Sequence, residues 1–142
     1  MATYVAINDW LANMVENADL ESDQFVIALS NTAPGSESTP PTGDGAGVLA
    51  NVTQISYTNL SSRNLTTSSS SQTGGTYSLV LADLVLTASG AVGPFRYVYI
   101  YDDTVTAPAD PLVCYYDYGS SISLAASETF TIDFGTELFT VS

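Results

Sequence analysis

"VGPFRYVYIYDD" occupies residues 92–103, and its reading decides the fold. Phe95, Tyr97, Tyr99 and Tyr101 alternate with Arg96, Val98, Ile100 and Asp102. Side chains in a strand point to alternate faces. The alternation therefore predicts a strand with its aromatic residues on one face and Arg96, Val98 and Ile100 on the other. Arg96 is one of two cations in the chain; the other is Arg63. A guanidinium beside two β-branched residues needs a carboxylate, a carbonyl or an aromatic face. Asp117 is the first candidate, because a short hairpin would bring 96–101 alongside 112–118. Asp83 is the second. The functional alternative is a pair made across a subunit contact. The aromatic face reads as core or as a tyrosine-rich interface.

The rest of the chain supports a β protein. Gln24–Ser30, Val48–Thr58, Tyr77–Ala88, Leu112–Tyr118, Ile122–Leu124, Glu128–Phe134 and Leu138–Val141 read as short strands between Gly, Pro and Ser turns. Arg63–Ser71 reads as a polar strand or a Ser/Thr loop. Within Tyr77–Ala88 two apolar stretches meet at Ala82-Asp83, where a bulge is expected. In "ETFTIDF", 128–134, Phe130, Ile132 and Phe134 face one way. The one helical pattern is 4–17, where Ile7, Trp10, Leu11, Met14 and Val15 form a stripe and Thr3 is placed to cap it. The expected architecture is one domain, a mainly antiparallel β-sandwich with one N-terminal α-helix; a jelly roll is one form of it. "GSESTPPTGDGAG", 35–47, has no apolar period and reads as an exposed loop, either mobile or docked on something. Its Pro40, Pro41 and Asp44, the edge of the helix and Arg96 are the candidate interface residues.

Composition narrows the function. The chain has 142 residues, 45% of them hydrophobic and 12% charged, which excludes a disordered acidic tail. Two Arg against fifteen acids give a formal charge of -13. That field repels phosphate backbones and anionic lipids, so no nucleic acid and no membrane is the expectation for partners. There is no histidine and no lysine. Ser-His and Cys-His catalysis, Schiff bases and the P-loop lysine are thereby excluded. "TGDGAG", 42–47, is read as a turn. "DLESD", 19–23, spaces carboxylates as a calcium loop does but lacks the sixth-position glycine and the closing glutamate. Asp102-Asp103 supplies one half of a carboxylate pair for glycoside hydrolysis, a weak signal among fifteen acids. Cys114 is the only cysteine and reads as a buried, inert thiol. Catalytic residues, metal and cofactors are expected to be none. The Met1-Ala2-Thr3 start has neither a basic nor an apolar leader region, so the expectation is a protein made and used in a cytoplasm, or one that leaves it by a route other than signal-directed secretion.

Three stretches resemble one family. "ALSNTAP" (28–34), "GTYSLVLADLVLTASGAVGPFRYVYIYDDT" (75–104) and "PLVCYYDYGSSISLAASETFTIDF" (111–134) are similar to small virion proteins of tailed bacteriophages, the capsid decoration or cement proteins. The resemblance implies binding without catalysis. Such proteins sit on the outer capsid surface, commonly as trimers, and bridge subunits of the major capsid protein after assembly in the host cytoplasm. The family varies the loop at 35–47, so no contact there transfers. The rival expectations are another virion subunit (tail, neck or fibre base), a carbohydrate-binding β-sandwich module that stacks sugars on tyrosines, and a two-carboxylate enzyme.

Overall fold

The computed structural model describes residues 2–142. The elements in chain order are β1 (Thr3–Ala6), α1 (Trp10–Glu16), β2 (Phe25–Ser30), β3 (Thr67–Thr73), β4 (Thr76–Leu81), β5 (Leu84–Thr87), β6 (Val92–Asp102), β7 (Leu112–Leu124), β8 (Thr129–Ile132) and β9 (Phe139–Val141). Every strand pairing is antiparallel. One sheet runs β1-β7-β6-β2, a second β3-β4-β9 and a third β5-β8. The protein is mainly β, as expected, with one N-terminal helix and no closed barrel.

The centre of the large sheet, β2 with residues 97–102 of β6, is buried on both faces, and that explains the tyrosine strand. Val98 and Ile100 of β6 join Ile27 and Leu29 of β2 in a core shared with Leu79, Leu86 and Ile132 from the two smaller sheets. Tyr97, Tyr99 and Tyr101 point the other way, onto Ile7, Val52, Ala33 and Leu49. The aromatic face is therefore core, covered by the chain's own segment between β2 and β3. Phe95 departs from the expected alternation and lies in the first core, edge-on to Phe130 at 5.3 Å. The cause is a bulge. β6 places one residue between Phe95 and Tyr97, while the paired residues on β7 are Ile122 and Asp117. The extra β7 residues shift the register and turn Phe95 over.

Three other expectations need correction. The helix does not span 4–17. Tyr4, Val5 and Ala6 pair with Tyr116, Tyr115 and Cys114, so the segment begins as a strand and Thr3 caps nothing. Aromatic and β-branched residues pack well on a pleated surface, and the free edge of β7 supplies one. In the seven-residue helix that remains, Trp10 faces inward while Leu11 and Val15 are 67% and 77% exposed. Val48–Thr58 is not a strand. It holds a 3-10 turn at Leu49–Asn51, and Ile55 touches β2 through a single N–H bond of 3.0 Å to the Leu29 carbonyl.

The loop at 35–47 is not free. Pro34, Glu37, Pro41 and Gly47 are buried. The Asp9 carboxylate accepts the N–H groups of Gly45 at 3.0 Å and Gly47 at 2.8 Å. A Cβ on Gly47 would lie 2.8 Å from the Ile7 side chain, so only glycine lets the loop lie this close. Glu37 accepts from the Thr53 N–H at 2.8 Å and its hydroxyl at 2.7 Å. The loop is thus docked, and its partner is the chain itself.

Candidate functional site

Both cations are used internally. Arg96 donates from Nε to Asp117 Oδ1 at 2.7 Å and from a terminal nitrogen to Oδ2 at 3.0 Å. Asp117 Oδ1 also accepts the Gly119 N–H at 2.8 Å. The pair sits where β6 and β7 change register, so it fastens the bulge. Its hydrogen bonds to Arg96 hold the Asp117 carboxyl below its ordinary range. Asp83, the second candidate partner, instead accepts the Phe134 N–H at 3.0 Å. Arg63 lies 3.8 Å over the Tyr57 ring and donates to the Ile27 carbonyl. With Ile27 N–H to Arg63 carbonyl at 2.9 Å and Leu65 N–H to Phe25 carbonyl at 2.9 Å, this segment covers the outer edge of β2.

The remaining motifs are structural. The Gly45 and Gly47 donors of "TGDGAG" are taken by Asp9. In "DLESD", Asp19 Oδ1 accepts from the N–H groups of Glu21 and Ser22, and Asp23 Oδ2 accepts from the Asp19 N–H at 2.8 Å. The carboxylates therefore close a turn. Cys114 is buried, and burial pushes its thiol well above the usual range. Asp102 is sealed from solvent. Its Oδ1 accepts from the N–H groups of Thr104 and Val105, while Oδ2 meets no donor. Burial first, then the neighbouring Asp23, push it up to about 7. No sugar reaches it there. Of the candidate loop residues, Pro40 and Asp44 are exposed and Pro41 is buried, which removes Pro41 from any free surface.

The feature that sequence reading missed is a groove of about 560 Å³ between the large sheet and the β8 layer. Its first wall is one cross-strand row. Val98 pairs with Tyr116, and Tyr116 with Tyr4, so these three share a face. Its second wall is Phe130, Ile132 and Phe134 with the turn to Leu138. Tyr4 and Tyr116 meet edge-on at 5.4 Å, and Tyr118 meets Phe130 at 5.7 Å. Tyr4 is 38% and Tyr118 46% exposed. Burial raises the Tyr4 and Tyr116 hydroxyls above the ordinary range, so the phenols stay neutral. Asp133 and Glu137 are the charged residues of the lining, and both are exposed. The volume lies within the roughly 300–1,000 Å³ of ordinary ligand sites. The groove's walls offer apolar surface, and its charged groups are negative.

The chain matches no family model, no curated protein and no solved structure.

Proposed function

We propose that the protein is a capsid cement protein on the outer surface of a tailed-phage head, a homotrimer that bridges and stabilises subunits of the major capsid protein. It works by binding, without catalysis or a cofactor, and it binds neither nucleic acid nor membrane. The observation that carries this reading is the use of both cations. Arg63 and Arg96 are spent on the protein's own backbone and on Asp117. The charge left facing solvent is acidic, and the centre of the large sheet is packed on both faces. Such a body suits an outward-facing strut and repels packaged DNA. The alternative virion subunit of tail, neck or fibre base shares these features. Light scattering on the purified protein and a quantitative gel of intact particles test the choice. A trimer at a copy number near that of the capsid subunit supports cement. A monomer, or a handful of copies per particle, moves the protein to tail or neck.

One observation favours a second reading, a carbohydrate-binding module: Tyr4 and Tyr118 flank the groove as exposed aromatic faces. Saturable binding of an oligosaccharide by the isolated protein would establish it.

A further inference from the structure

We propose that the groove between β7 and β8 holds an apolar side chain from a partner protein, in a segment where lysine or arginine flanks that anchor. This rests on the binding reading above, since it describes the partner's contact segment.

Three observations select the occupant. The floor and walls are apolar: Val98, Tyr116, Phe130 and Phe134 offer carbon surface in a space that takes a phenylalanine, leucine or methionine side chain. Burying such a side chain gives the attraction. The charged groups of the lining, Asp133 and Glu137, have one sign. Neither makes an ion pair, because the single ion pair among the described residues is Arg96 with Asp117. Finally, both arginines are engaged elsewhere: Arg63 at the β2 edge and Arg96 at the bulge. A partner's lysine or arginine is the complement to the two lining carboxylates. A second copy of this protein, at -13, brings the wrong sign, and an acidic segment is repelled.

The test uses the full-length protein and two blocked peptides, acetyl-Gly-Lys-Phe-Arg-Gly-amide and acetyl-Gly-Glu-Phe-Asp-Gly-amide, followed by amide chemical shifts. The basic peptide is expected to bind saturably and shift Tyr4, Tyr118 and Phe130, while the acidic one does not. Asp133→Asn and Glu137→Gln change exposed side chains, and the asparagine keeps an oxygen for the Gly135 N–H that Asp133 accepts at 2.8 Å. Each is expected to weaken the basic peptide by about fivefold, as an exposed charge pair does, and Tyr118→Ala to weaken it further. Equal binding of both peptides, binding of neither, or shifts away from the groove overturns the proposal. So does maltohexaose competing for the same shifts, or dimerisation of the protein through this face. Shell binding separates the two readings. If Asp133→Asn and Tyr118→Ala proteins decorate purified shells as the parent does, the groove proposal fails and cement stands. If the peptide fills the groove but no shell takes up the protein, cement fails and the groove stands.

Discussion

Arg96 grips Asp117 through two N–H···O bonds, at 2.7 and 3.0 Å, across the bulge where β6 and β7 change register. The fork fits a carboxylate as a lysine cannot. Arg96→Met is therefore expected to lower Tm at pH 7, and Arg96→Lys to recover only part of the loss. The sign with pH follows from Asp117. Its carboxyl is held low by Arg96, so the contribution is present above the ordinary value of 3.8 and is lost as pH falls through the depressed one. The Tm gap between Arg96→Met and the parent should be widest near neutrality and close in strong acid. A gap unchanged at pH 2 would show that Arg96 acts by packing alone.

Asp102 carries the opposite sign. Burial and Asp23 raise its carboxyl from 3.8 to about 7. The neutral acid is the form the fold favours, so its contribution is complete below pH 4 and is lost as pH rises through 7. Asp102→Asn keeps an acceptor for Thr104 and Val105 and offers an N–H toward Asp23. It should stabilise the protein at pH 8, by about 1–2 kcal/mol, the range for relieving one buried unpaired polar group. The gain should vanish by pH 4. Urea melts at the two pH values measure it.

The outcome for Arg96 shows which parts of this fold are legible in a sequence. β6 and β7 are neighbours in sequence, so strand pattern and hairpin reach were enough to name Asp117. "ETFTIDF" was legible for a similar reason: its alternation matches its burial at Ile132 and Phe134. What failed depends on distant partners. Tyr4 stands at a helical spacing of three residues from Ile7, and only the edge of β7, more than a hundred residues on, makes it part of a strand. The turning of Phe95 depends on β7 residues that no alternation reveals. The docking of the 35–47 loop depends on Asp9, 36 and 38 residues from the glycines it holds. The groove has walls from β1, β7 and β8, so no single segment announces it.

Gly93 lies in the neighbouring register shift of β6, between Val92 and Phe95. Its φ is +102°, and an added Cβ would lie 2.7 Å from the Ile122 carbonyl oxygen. Both the conformation and the space refuse a side chain. Gly93→Ala is expected to cost about 1–3 kcal/mol, read as a lower urea midpoint. Hydrogen exchange should quicken at Ile122–Leu124 before it quickens in β2. A uniform change across the sheet would show that the strain is not confined to the bulge.

The Asp9 clamp gives the last expectation. Asp9 opens α1 yet makes no side-chain cap on it; both carboxylate oxygens are turned to Gly45 and Gly47. Helix capping is thus given up for the loop, and the tyrosine face depends on the result. The segment that Asp9 holds continues into Leu49 and Val52, which cover Tyr97, Tyr99 and Tyr101. Asp9→Ala strips two charge-assisted bonds and leaves the N–H groups to water. The expected loss is about 1–2 kcal/mol, with proteolytic cleavage appearing within 40–47 and the buried tyrosines becoming open to fluorescence quenching. Asp9→Asn retains one acceptor oxygen and should fall between the two. If Asp9→Ala is cut no faster than the parent, then the buried Pro41 and the Glu37 bonds to Thr53 hold the loop without the clamp.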